Sequence, residues 1–241
     1  TQHRKRRADM NKAEVFDLLE QNRNQRGIDN WHKMKDTGGL TSFGIGLTVH
    51  RKLAKQIGRD HELALELWAS DNYDAKVMGL LIDEPKKLTI EQVESQVEEL
   101  GPGLLTHVFA SCDATLAKAP FAFELAQSWL ESTDLMRQRC AYGLIYELSK
   151  KNNKRYTDEF FLSVIEGIKQ SYESAPKSKL LAMGAALVAI GKRNIELNRA
   201  ALSVAKGIGP IDFNEDGKKC DPFDMEKHLT SDYLTKKFAN S

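Results

Sequence analysis

The chain has 241 residues, 41% of them hydrophobic, 29% charged and 8% aromatic, with a formal net charge of +1. That balance excludes a disordered or fibrous chain, and no apolar run reaches the roughly 18 residues of a membrane span. Charge is uneven: residues 1–59 carry +7, 60–133 carry −10, 134–206 carry +6 and 207–241 carry −2. Two basic blocks admit nucleic acid as a partner, while the acidic block between them excludes one uniform polyanion-binding surface.

The start, with "HRKRR" at 3–7, reads as a basic arm over residues 1–10. It lacks the apolar stretch of a secretory signal, so the expected location is the cytoplasm. Asn11 caps a first helix with Ala13, Val15, Phe16, Leu18 and Leu19 at helical spacing. "GIDNWHKMKD", with Trp31, falls in no element. A helix capped by Thr48 stops at Gly58 and carries Arg51 and Lys55 four apart on one face. Asp60 caps "HELALELW", "NYDAKVMGLLID" ends before Pro85, and Thr89 caps a helix that ends at Gly101. "GLLTHVFASCDATLAKA" reads as one helix ending before Pro120. Five more follow: "FAFELAQSWLES", "DLMRQRCAYGLIYELSKK", "TDEFFLSVIEGIKQSYESA", "PKSKLLAMGAALVAIGKRN" and "IELNRAALSVAKGI". Residues 208–230, rich in Pro, Gly and Asp, form a loop or appendage, and "SDYLTKKFANS" is a last short helix. Alternating β-branched runs are absent, so the expected fold is all-α without a sheet.

A weak repeat organises these helices. "ELALELWASDNYDAKVMGLLI" and "FELAQSWLESTDLMRQRCAYGLI" align Trp68 with Trp129 and Gly79 with Gly143, and a third unit brings Tyr172 and Gly184 near those positions. Helix, turn, helix with a small residue is the plan of an α-solenoid of HEAT-like pairs, here about five to six of them. The expected division is a repeat domain over 1–207 and an appendage over 208–241.

Cys112, Cys140 and Cys220 are odd in number and widely spaced, with neither metal-ligand nor disulfide spacing. Cys112 and Cys140 read as small buried hydrophobes. No metal or cofactor is implied. Arg139 lies inside the apolar stripe of "LMRQRCAYGLI", where an arginine needs a partner. It either grips a ligand from there or snorkels to the edge of the core.

Taken in order, "GRDHELALELW", "APFAFELAQSW", "RQRCAYGLI", "IGKRN" and "LNRAA" resemble the DNA alkylation repair enzymes, HEAT-like-repeat DNA glycosylases of the AlkD type. The resemblance runs from about Ser42 to Ile208. It implies a stack of helix pairs holding duplex DNA, and release of N3- or N7-alkylated purines by hydrolysis of the N-glycosidic bond. It also implies a Trp-x-x-x-Asp pair, an arginine on the next repeat and a further cleft tryptophan. The carboxylate would stabilise oxocarbenium character, the rings would face the cationic base and the arginine would fork a phosphate. Arg139 falls on the family arginine. The expected tryptophan position is near Leu105, the aspartate near Phe109 and the second tryptophan near Ala185, so none of the three types is kept. Asp113, one turn beyond Phe109, is the candidate catalytic carboxylate; its other reading is a solvent-facing side chain. His107 reads as structural.

The expectation is a monomeric protein that binds duplex DNA, alkylated or not, through Arg139, Arg51, Lys55, Lys192 and Arg193, with alkylpurine glycosylase activity weak or lost. The alternative is a non-catalytic HEAT-repeat scaffold for a protein or a structured nucleic acid, which the acidic block favours.

Overall fold

The computed structural model describes residues 10–213 and 220–240. The basic stretch 3–7 lies outside the described residues. Regular structure among them is helical, with two isolated bridges, Thr41–Asn72 and Ile211–Phe223. The chain divides into two compact units: Thr1–Phe109 with Asp113–Pro120, and Ala110–Cys112 with Phe121–Ser241. No helix among the described residues is long and apolar enough to cross a membrane.

The first unit holds α1 (Lys12–Gln21), α2 (Gln25–His32), α3 (Leu47–Ile57), α4 (His61–Trp68), α5 (Tyr73–Ile82), α6 (Ile90–Val97) and α7 (Leu105–Ala110, whose last residue counts with the second unit). The caps explain most of these starts. Asn11 and Glu14 form a reciprocal capping box, and the side chains of Asp60, Asn72 and Thr89 accept the N3 amides of α4, α5 and α6. Val15, Leu19, Leu53, Leu63, Leu67, Met78 and Ile82 form a common core. A Cβ on Gly79 would stand 2.8 Å from the Ala64 carbonyl oxygen, so α5 needs glycine there to lie this close to α4.

Two expectations fail in this unit. Thr48 is not a cap: α3 starts at Leu47 after Gly46, because the buried Asp74 carboxylate accepts the amides of Phe43 (2.7 Å) and Ile45 (3.2 Å) and fixes the preceding loop. Trp31, unassigned from the sequence, lies on α2. It is 6% exposed, donates Nε1–H to the Leu40 carbonyl at 3.0 Å and stacks against Tyr73 at 4.5 Å between centroids.

The single helix expected over 103–119 is also broken. α7 stops at Ala110, a 3₁₀ turn covers Leu116–Lys118, and between them Cys112 (φ 50°) and Asp113 (φ 63°) take left-handed backbone conformations. Two consecutive non-glycine residues cannot continue a right-handed helix from that region. Cys112 is therefore half-buried outside any helix, while Cys140 is buried as expected.

The second unit holds α8 (Ala122–Leu130), α9 (Leu135–Ser149), α10 (Asp158–Ser171), α11 (Lys177–Gly191), α12 (Ile195–Ile208), α13 (Met225–Leu229) and α14 (Asp232–Ala239). Asp134, Thr157 and Asn194 cap α9, α10 and α12 through the amides of Arg137, Phe160 and Leu197. α9 packs against α8 and α11, and α11 also against α12. Trp129 is 1% exposed, a packing residue like Trp68 in the first unit. The described part of 208–240 packs onto the second unit. α13 buries Met225 and Leu229 against α11 and α12, and Asn198 Nδ2 donates to the carbonyls of Gly191 and Leu229, 3.0 Å each.

Candidate functional site

In the first unit, α3 projects Arg51 and Lys55 along one wall of an open cleft of about 340 Å³, which Arg59, Thr115 and Asp113 also line. Arg59 is the staple of this wall. Its Nη1 lies within hydrogen-bond distance of the carbonyls of Leu81 (2.9 Å) and Asp83 (2.6 Å) and of Thr115 Oγ1 (2.8 Å), tying the end of α5 to the segment that follows Asp113. The left-handed turn at 112–113 carries the Asp113 carboxylate to the surface, where Lys118 Nζ meets it at 2.8 Å. The Lys118 ammonium, with Arg51 and Arg59 adding to it, holds the Asp113 carboxyl below the usual carboxylate range. Residues in strained backbone regions cost on the order of 1–3 kcal/mol each and cluster where function needs them.

Asp113 is thus brought together with Arg51 and Lys55, although not along the helix that the sequence suggested. Leu105 and Phe109 are buried at 0% and 2% exposure, so neither offers a surface to a base. His107 is exposed on α7.

In the second unit, Arg139 is half-buried on the second turn of α9. Its guanidinium makes no hydrogen bond or ion pair among the described residues. Other arginines of this unit differ: Arg137 pairs with Asp134 at 3.4 Å, and Arg155 pairs with Glu124. Beside Arg139, burial pushes the Cys140 thiol up to about 12, with Arg139 itself pulling the other way. Burial likewise pushes the Tyr142 hydroxyl up to about 12. The Arg139 guanidinium is thus half-exposed at the edge of a buried patch, with Arg137 and Asp134 also close enough to act on Cys140.

Lys192 and Arg193 follow α11 in the same unit and have different situations. Lys192 is exposed. Arg193 donates from Nη1 to the carbonyls of Ser149 (2.5 Å) and Lys151 (3.1 Å), and its guanidinium lies 4.5 Å from the Phe161 ring centroid. Arg193 joins the ends of α9 and α11, so much of its donor capacity is spent on the fold. Ala185, half-buried on α11, presents only a methyl group. Sequence reasoning missed Arg59, Lys118 and Asp74, whose partners lie tens of positions away or across a turn that composition does not mark. Among the described residues no group of three or more His, Cys, Asp or Glu side chains is placed to hold a metal ion.

Comparison with known proteins agrees with the all-helical repeat fold. The DNA alkylation repair enzyme family matches residues 6–213. Two relatives are the uncharacterised proteins Lin0241 of Listeria innocua and Lmo0209 of Listeria monocytogenes, 25% and 24% identical over 190 residues, or 75% of this chain and 79% of theirs. A solved structure from a new family of proteins related to the HEAT-like repeat DNA glycosylases, with affinity for branched DNA structures, covers 95% of both chains with a TM-score of 0.78 at 21% identity.

Proposed function

The chain belongs to the DNA alkylation repair enzyme family, and from that premise we propose that it binds DNA through duplex arms, using Arg139 in the second unit and Arg51 with Lys55 in the first as phosphate contacts. The observation that carries this reading is Arg139, a half-buried guanidinium with no hydrogen bond or ion pair among the described residues, at the position to which the sequence resemblance assigns an arginine. A half-buried guanidinium whose donors are unspent is suited to a bidentate acceptor, and a phosphodiester supplies one.

Alkylpurine excision is weak or lost. Asp113 is the carboxylate nearest the family position, and Lys118 engages it at 2.8 Å. A carboxylate neutralised in this way stabilises oxocarbenium character less well than a free one. The positions expected to hold tryptophans are Leu105 and Ala185, whose aliphatic side chains offer no quadrupole to a cationic base. The affinity of the structurally similar protein for branched DNA makes a branch point, where two or more arms meet, the substrate class to test first.

The test measures anisotropy of fluorescein-labelled duplex and four-way-junction DNA titrated with the full chain, beside release of 3-methyladenine and 7-methylguanine from alkylated duplex. Salt-dependent binding with release at background level supports the reading. Absence of DNA binding at low salt, or robust base release, overturns it. The net charge of −10 over residues 60–133 favours a protein partner as the second reading, which failure to bind DNA would bring forward.

A further inference from the structure

A second cationic site lies apart from Arg139 in sequence and chemistry. The ends of α9 and α11 and the helix α14 enclose a cleft of about 470 Å³, lined by Lys150, Lys151, Lys192, Arg193 and Lys237 with the Tyr146 ring. This is within the usual size of a small-ligand site. No aspartate or glutamate lines it among the described residues.

The cleft is constructed, not a chance gathering of mobile lysines. Arg193 holds the turn after α9 by the carbonyls of Ser149 and Lys151, which sets Lys150 and Lys151 opposite Lys192. Lys237 Nζ donates to the Lys192 carbonyl at 2.6 Å and fastens α14 across the same opening. Lys150 lies 3.9 Å over the Tyr146 ring and 3.0 Å from Glu147. Arg193 Nε is buried with no acceptor among the described residues.

The electrostatics decide the class of ligand. Five basic side chains line the cleft and no acidic one does; Glu147, beside it, pairs with Lys150. Holding that charge together costs free energy that an anion recovers. Lysines act on phosphate as point charges without demanding one orientation, which suits a phosphate group presented in variable geometry.

We propose that this cleft is a phosphate-binding site that takes a backbone phosphate of a nucleic-acid strand beyond the one held at Arg139. The proposal rests on the reading that the chain binds DNA, and it deepens that reading by adding a contact whose loss lowers affinity without regard to base sequence.

The experiment compares wild type, the double variant Lys151→Gln/Lys192→Gln and the control double variant Lys169→Gln/Lys206→Gln, whose lysines are exposed elsewhere in the second unit. Each is titrated with four-way-junction and duplex DNA from low to moderate salt, and each is also melted with and without inorganic pyrophosphate. Neither double variant touches the anchoring contacts of Arg193 or Lys237, so both remain folded by circular dichroism. The proposal predicts that the cleft variant lowers the slope of log affinity against log salt by about 1 for each phosphate released, and the control does not. Equal slopes for cleft variant and wild type, or equal losses in cleft and control variants, overturn it. If wild type binds no DNA, the DNA reading fails separately. The pyrophosphate arm then decides: stabilisation of wild type but not of the cleft variant makes this a free-phosphate site, and stabilisation of neither overturns the site.

Discussion

Asp74 should be among the most sensitive positions in the first unit. Its side chain is 0% exposed and accepts four hydrogen bonds: from Ser42 Oγ (2.8 Å), the amides of Phe43 (2.7 Å) and Ile45 (3.2 Å), and His50 Nε2 (2.8 Å). Together these pin the loop that launches α3, the helix carrying Arg51 and Lys55. Asp74→Ala leaves the Ile45 amide and the His50 ring without their acceptor in a dry interior. Each buried unsatisfied donor costs about 1–3 kcal/mol, and Asp74→Ala leaves these two. The expected loss is about 3–5 kcal/mol, read as a lower urea midpoint with unchanged slope by far-UV circular dichroism. Asp74→Asn, which keeps one acceptor, should lose roughly half as much and weaken DNA binding while still folded. A loss below about 1 kcal/mol for Asp74→Ala would refute the idea that this carboxylate organises the loop.

Trp129→Ala, which empties a fully buried indole site, should destabilise by about 3–5 kcal/mol in the same assay. With its thiol pushed up to about 12 and buried, Cys140 should resist iodoacetamide at pH 8.5, where the exposed Cys220 reacts; mass spectrometry of the alkylated peptides checks this. Asp113 has a carboxyl held below its ordinary value, so its ion pair contributes above the unfolded-state pKa and is lost as pH falls through the folded one. Because the side chain is 71% exposed, Asp113→Asn should leave the urea midpoint nearly unchanged and base release at the wild-type background. Release that is robust in wild type and abolished in Asp113→Asn would show that this carboxylate carries hydrolysis.

The helices were legible because their caps are local: Asn11, Asp60 and Thr89 each sit directly before the helix they close. Family membership was legible because its motifs recur in order along most of the chain. What escaped detection is set by long-range contacts. The start of α3 depends on Asp74, some thirty residues away, which from the sequence looks like an ordinary acid in a first helical turn. α2 spans eight residues and has only Ile28 and Trp31 buried, too few for a helical period to show. The break at Cys112 and Asp113 has no glycine or proline to mark it, yet it places the Asp113 carboxylate beside Lys118. Arg139 stood out because it interrupts an apolar helix, whereas Arg193 looked equally available and proved to be tied to carbonyl oxygens.

The most direct test of DNA recognition is the salt dependence of duplex binding by wild type, Arg139→Ala and Arg139→Lys, each verified as folded. The account predicts that Arg139→Ala weakens binding and lowers the salt slope by about 1. Lysine should restore the slope but not the affinity, since one point charge does not reproduce a bidentate fork. Unchanged affinity and slope in folded Arg139→Ala would contradict the account.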